Sequence, residues 1–145
     1  MAIVSTSTKL MYSPIEMYEL VNDVSSYPNY IPMCSEVKLI SKTPEKLKAS
    51  ITMSKGKIKL SFTTENTMQI GRSVQMHLVE GPFKRLHGLW LFEPLGETGC
   101  TVTFRLEFEF ANALLNVAFG GFFREVGGSM VDAFSRQAAL KYGTR

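Results

Sequence analysis

Residues 100–110 read CTVTFRLEFEF. In an extended chain, Val102, Phe104, Leu106, Phe108 and Phe110 point to one side, and Thr101, Thr103, Arg105, Glu107 and Glu109 point to the other. A period of two that separates apolar from polar residues this cleanly marks a strand with one face on a core and one in water. Such a strand belongs to an antiparallel sheet, because parallel sheets are covered on both faces and read as continuous apolar runs. Some other part of the chain must then cover the apolar face.

Upstream, five more strand-like runs fall at about 35–42, 46–54, 57–67, 72–80 and 84–95, and the run read here extends over 98–110. Their connectors, KTPE, SKGK, QIGR, EGPF and LGETG, are short, as antiparallel hairpins require. Ala2 to Leu10 reads as a further strand. Ser13, Pro14 and Glu16 then form a capping box that opens a helix over about 14–21, with Ile15, Tyr18 and Val21 along one side. NDVSSYPNYIPMC follows, and its two prolines leave room only for a helical turn, with Asp23 as its candidate cap, and an irregular link.

Downstream, Asn112 to Tyr142 carries a helical period. Leu115, Phe119, Phe122, Phe123, Val126, Met130, Ala133, Phe134 and Leu140 form a broad apolar stripe. A helix of this length measures roughly 40 Å and is the natural cover for the sheet. The expected fold is α+β: a curved seven-stranded antiparallel sheet wrapped around a long C-terminal helix, with two short helices after the first strand. This helix-grip arrangement takes up residues 1–145 as one domain. A sheet bent so far seldom closes completely on its helix, so a cavity between the two is expected.

Composition agrees with a globular domain, at 45% hydrophobic and 20% charged residues. Cys34 and Cys100 match no metal or redox spacing and read as buried free thiols in a reducing compartment. The N-terminal residues lack a signal-peptide pattern and no apolar run approaches 18 residues, so a cytoplasmic, at most membrane-peripheral, location is expected. Net charge is only +3, yet seven lysines face two glutamates between residues 36 and 60. Two readings of this cluster stay open: a solvated guard on edge strands, or a docking face made of Lys42, Lys46, Lys48, Lys55, Lys57 and Lys59 for anionic lipid or RNA.

Three stretches, LVNDVSSYPNYIPMCSEV (20–37), EGPFKRLHGLWLFEPL (80–95) and LEFEFANALLNVAFGGFF (106–123), resemble signature segments of the bacterial ribosome association toxin family. That family is grouped with the mitochondrial coenzyme Q-binding proteins in the polyketide cyclase and START lipid-transfer superfamily. The resemblance extends through MVDAFSRQAALKYG (130–143) and so runs nearly end to end. It implies a START-like helix-grip fold with an apolar cavity, and either ubiquinone or lipid binding or interference with ribosomal subunit association through the large subunit. It implies no required cofactor.

In the 84–95 run both parities carry apolar residues; the one holding His87, Leu89, Leu91 and Glu93 includes a charge and is assigned outward, leaving Leu89 and Leu91 as a small surface patch. Leu86, Trp90 and Phe92 then point inward with Phe104, Leu106 and Phe108. A buried Trp90 needs a partner for its indole N–H, either a backbone carbonyl or a ligand oxygen. The candidate ligand-lining set adds Leu60 and Phe62 from the sheet, and Phe119, Phe122, Phe123, Val126 and Met130 from the last helix. Tyr27 and Tyr30 are expected to border one end of the cavity, either as parts of a rigid turn or as a gate.

Catalysis is the weaker reading. His77 and His87 have no partner imposed by spacing, and the chain carries no zinc motif, nucleophile elbow or phosphate loop. An enzyme of the cyclase kind would have to draw on Asn66, Gln75 or His77 as polar lining. The last helix also carries Gly120, Gly121, Gly127 and Gly128, placed by the helical wheel on the side away from Phe119 and Phe122. Such a bare back would either admit a close neighbour or let the segment flex as a lid.

Overall fold

The structure is a computed structural model that describes residues 1–145. Strand β1 (Ala2–Leu10) is followed by α1 (Pro14–Asn22) and a 3₁₀ turn (Val24–Asn29). Six strands come next: β2 (Cys34–Lys42), β3 (Lys46–Lys55), β4 (Ile58–Gln69), β5 (Ser73–Glu80), β6 (Phe83–Leu95) and β7 (Gly99–Phe110). Helix α2 (Ala113–Tyr142) ends the chain. The strands form one antiparallel sheet in the order β1-β7-β6-β5-β4-β3-β2, leaving β1 and β2 as its edges. The expected helix grip is the observed architecture, and each strand run lies within two residues of its observed bounds.

Local chemistry accounts for the helix starts. The Ser13 hydroxyl accepts the Glu16 backbone N–H at 3.2 Å, and the Glu16 carboxylate accepts the Ser13 N–H at 2.9 Å, completing the capping box. Asn112 caps α2 by accepting the Leu115 N–H at 2.9 Å. In β7 the residues from Val102 to Phe110 on the apolar parity are all buried against the helix. Full burial of such a side chain contributes about 1.5–3 kcal/mol, so this one strand is a main anchor of the grip.

Four expectations need correction. Asp23 stands at the cap position of the 3₁₀ turn, but its carboxylate accepts the Ser26 hydroxyl at 2.7 Å and caps no backbone N–H. Ile15 is exposed, and α1 buries Met17, Tyr18, Leu20 and Val21 instead. Leu140 is also exposed, because the last turn of α2 is held at Tyr142 by tyrosine and arginine contacts and not by the apolar stripe. The buried face of α2 is turned toward Val131, Phe134 and Ala138 relative to the wheel drawn from sequence.

That rotation brings Gly127 onto the sheet side, against Val4 of β1 and Leu106 of β7. A methyl placed there would lie 3.0 Å from Leu106 Cδ2. The bare glycine therefore lets the helix backbone approach the β1–β7 wing closely. Gly121 and Gly128 do face open solvent, while Gly120 is half-buried beside Asn116. Helix α2 thus packs on one wing, β1 and β7, and stands off from the wing formed by β3, β4 and β5.

Candidate functional site: an apolar cavity

The space between α2 and the distant wing is a cavity of about 60 Å³, 18 of whose 21 lining residues are hydrophobic. Strand parity builds its floor. Ala49, Ile51 and Met53 come from β3, Phe62, Thr64 and Asn66 from β4, and Val74 and Met76 from β5. Leu86 and Trp90 of β6 and Phe104 and Leu106 of β7 continue it, and Phe123, Val126, Gly127 and Met130 of α2 form the roof. One end is closed by Val21, Val24, Tyr27, Ile31 and Cys34. At roughly 10–15 Å³ per water centre the cavity has room for about four to six waters. Ligand sites usually measure about 300–1,000 Å³, so the walls must part before a tailed molecule can enter.

Of the ligand-lining set read from sequence, Tyr27, Phe62, Trp90, Phe104, Leu106, Phe123, Val126 and Met130 line this space. The others do not reach it. Leu60 and Phe122 are buried in the core beside it. Phe92 packs edge-on against Tyr18 with ring centres 6.0 Å apart, and Phe108 packs against Phe123 at 4.9 Å. Half-buried Phe119 lies over Phe110, and Tyr30 stacks edge-on against Phe134 at 5.6 Å. The unforeseen lining of β3 was available as the alternation Leu47, Ala49, Ile51, Met53, which continues the inward face one strand further.

Tyr27 is part of a rigid plug. Its hydroxyl donates to the Val21 carbonyl, and its ring packs on Phe134 at 5.4 Å. Burial raises its phenol well above the ordinary value, and burial likewise raises that of Tyr30, so both stay protonated. Burial pushes the Cys34 thiol up to about 11, which makes it a protonated, hydrophobe-like wall residue at neutral pH. Cys100 is raised to about 11 by burial as well, and both cysteines are free.

Polar groups in the cavity are few and uncharged. Thr64 donates to Asn66 Oδ1 at 3.5 Å, the outer limit of a hydrogen bond. The Asn66 amide N–H₂ has no protein partner, although the residue is only 7% exposed. Leaving a buried donor unpaired costs about 1–3 kcal/mol. Gln75 and His77, by contrast, point to the exposed convex face, where His77 lies beside His87 with ring centres 5.0 Å apart. They are removed from the polar lining that a cyclase-like reading required. No group of three or more His, Cys, Asp or Glu side chains is arranged to hold a metal ion.

The six lysines do not share one face. Lys46, Lys48 and Lys59 project from the convex side, opposite the parity of Leu47 and Leu60. Lys57 sits at the β3–β4 turn, and Lys55 reaches across to Glu125 of α2 at 3.1 Å. Lys42 lies at the other end of the hairpins, opposite Leu47. From Lys46 to Lys55 along β3 is about 30 Å at 3.3 Å per residue. The cluster read from sequence therefore divides: Lys46, Lys48 and Lys59 stay on the convex side, while Lys55, on the parity of Leu47, turns toward the helix.

A curved sheet gripping a long helix around an uncharged apolar cavity defines a ligand-binding domain of the START-like class. The sequence profile described as "Polyketide cyclase / dehydrase and lipid transport" matches residues 10–135, and the chain belongs to that family. It is 42% identical over 142 residues to the ribosome association toxin RatA of Escherichia coli K12, covering 98% of this chain and 90% of that protein. It is 31% identical over 144 residues to the mitochondrial coenzyme Q-binding protein COQ10 homolog B of Xenopus laevis, covering 96% of this chain and 59% of that protein. Among solved structures, the Zhui aromatase/cyclase from Streptomyces superposes with a TM-score of 0.75 at 12% identity, covering 99% of both chains. The fold is thus shared with a protein named as an enzyme, while a sequence relative is named for binding.

Proposed function

We propose that the protein is a noncatalytic binder and carrier of a hydrophobic small molecule, a quinone or a lipid, held between α2 and the β3–β5 wing. The observation that carries this reading is the cavity lining: 18 of 21 residues are hydrophobic and no charged side chain is among them. Transfer of an apolar tail from water into such a lining gains about 25 cal/mol per Å². Acid–base catalysis has little to work with there, because the titratable side chains of the lining are Tyr27 and Cys34, both held protonated. The COQ10 relative supports a quinone as the ligand. Native mass spectrometry and organic extraction of the protein purified from its own cells test the reading. A copurified quinone or lipid, displaced by added ligand, is expected; an empty protein that takes up neither on titration overturns it.

A second reading is favoured by the ribosome association toxin relatives, one of which matches this chain at 44% identity over 97% of both proteins. In it the protein binds the large ribosomal subunit through the β3–β4 tip, where Lys55, Lys57 and Lys59 cluster at a mainly exposed turn. Phosphate contacts of this kind weaken steeply with salt. Cosedimentation with the large subunit should be lost when the three lysines are reversed to glutamate. Cosedimentation that survives the reversal unchanged removes the tip as the contact. Ligand loading of the same variant shows whether the two activities are separable.

A further inference from the structure

The cavity holds a side-chain donor that the protein leaves unpaired, and that donor describes the ligand. The Asn66 amide and the Trp90 indole N–H both lie on the concave face and line the cavity. Asn66 sits opposite Leu47 of β3 and Met76 of β5, and Trp90 sits opposite Val74 of β5 and Phe104 of β7. Their sheet neighbours on that face therefore offer hydrocarbon and, at Met76, a thioether that accepts only weakly. Trp90 is 1% exposed and lines the cavity. The polar side-chain atoms sealed in the interior without a partner are Thr6 Oγ1 and Asn22 Oδ1, both elsewhere. The Asn66 amide nitrogen is not among these sealed atoms, and its residue lines the cavity. Thr64 turns its proton to Asn66 and Tyr27 gives its own to Val21, so neither hydroxyl is left to donate to a ligand in place of Asn66.

We propose that the cavity selects a neutral ligand whose head carries a carbonyl or ether oxygen, with Asn66 as the primary donor to that oxygen and Trp90 as the second. The hydrocarbon body lies under Phe123, Val126 and Met130 of α2. The inference rests on the ligand-binding reading and sharpens it. A carboxylate head is rejected, because no cation lines the cavity to offset its desolvation. A bare hydrocarbon fits the walls but leaves the Asn66 amide unpaired.

Trp90 is the only tryptophan in the chain, so its fluorescence reports directly on cavity filling. Four probes of equal chain length separate the chemistries: a decyl-substituted dimethoxybenzoquinone, a decanoyl monoester of glycerol, decanoate and decylbenzene. Affinities are measured by Trp90 fluorescence and by calorimetry. Wild-type protein is expected to bind the quinone, the ester or both about tenfold or more tightly than decylbenzene or decanoate, the value of one desolvated hydrogen bond. Whichever carbonyl probe prevails identifies the source of the oxygen. Asn66→Leu, close in volume, should erase that preference while decylbenzene binding is retained. An unchanged preference in Asn66→Leu, or equal binding of all four probes to wild type, overturns the proposal and leaves the carrier reading standing. No response to any probe overturns both.

Should Asn66→Leu fail to fold, infrared spectroscopy of wild type with ¹³C-carbonyl quinone decides the matter. A carbonyl stretch shifted below its value in hydrocarbon supports the hydrogen bond, and an unshifted stretch overturns it.

Discussion

The two halves of α2 are built on different physics. From Val131 onward the helix is pinned. Phe134 and Ala138 are fully buried, the Tyr142 hydroxyl donates to the Glu16 carbonyl at 3.1 Å, and Tyr12 donates to the Gly143 carbonyl at 2.7 Å. Before that point the hold is narrower: Phe122, Phe123 and Val126 are buried, with Phe123 against Phe62, Phe83, Phe108 and Phe110, but the flanks are open. Leu114 and Val117 are more than three-quarters exposed, Phe119 is half-buried, and the four glycines all lie here. The roof of the cavity, Phe123 to Met130, belongs to this looser half. A cavity too small for a tailed ligand must enlarge where the restraint is weakest, so the N-terminal half of α2 is the part expected to lift.

The strongest way to break this contrast is to compare one phenylalanine from each half. Phe134 meets Tyr27, Tyr30 and Trp90 with ring centres at 5.4, 5.6 and 5.2 Å. Phe134→Ala should cost about 3–5 kcal/mol in urea unfolding. Phe119→Ala, which loses a half-buried ring, should cost about 1–2 kcal/mol. Equal costs would mean that the two halves are equally embedded.

Gly127 gives the next largest effect, because there the backbone of this half comes close against the side chains of the β1–β7 wing. Gly127→Val places branched carbon where Leu106 and Val4 already crowd the backbone. Overpacking of this kind costs about 1–3 kcal/mol. It should also push the roof outward, which enlarges the cavity and raises ligand affinity relative to stability. A variant as stable as wild type would show that the close approach is not needed.

How much of this was legible beforehand follows from the kind of information each feature needs. Strand parity is local, so CTVTFRLEFEF declares its inner face and the seven strands emerge with nearly correct bounds. The rotation of α2 about its axis is not local. The wheel centres the stripe on Phe119 and Phe122, but contact with β1 and β7 brings Gly127 inward, a choice made by Val4 and Leu106 over a hundred and twenty residues and twenty residues away. The cavity set fails in part for the same reason: Phe92 and Phe108 have the right parity, yet the rings of Tyr18 and Phe123 pack on them, and Phe122 is buried in the core beside the cavity. The lysines mislead because Lys55 differs in parity from Lys46 and Lys48 on the same strand, so that neighbours in sequence leave the sheet on opposite sides.

Gly121 and Gly128 sharpen the comparison in the opposite sense. A methyl at either position meets nothing within 4 Å, and both residues have helical backbone. Gly→Ala at such sites should stabilise by about 0.5–1 kcal/mol each. If the N-terminal half lifts to admit ligand, the stiffened double variant should release a bound quinone more slowly than wild type. Stabilisation without any slowing would place the opening elsewhere, for instance at the 3₁₀ plug around Tyr27.

The smallest effect concerns the anchored end alone. The Arg145 guanidinium forks onto Glu16 at 2.7 and 3.0 Å, and this bond, followed by the Ser13 N–H, holds the Glu16 carboxyl below its ordinary value of 4.5. A carboxyl depressed in the folded state contributes stability above its unfolded value and loses it as pH falls through the lower folded value. The pair is partly solvated, so the contribution is modest. Thermal unfolding of wild type and Arg145→Gln between pH 3 and 7 should therefore show a small Tm gap at neutral pH that closes below about 4.5. Because Glu16 also receives Tyr142 through its backbone carbonyl, acid should loosen the end of α2 without freeing it. Amide exchange in the N-terminal half of the helix should not respond to this pair. A gap that persists at pH 3 would mean that Arg145 acts through the Tyr12 and Tyr142 rings beneath it and not through Glu16, and an effect that spreads to Phe119–Met130 would mean that the two halves are coupled and that the lid extends to the end of the helix.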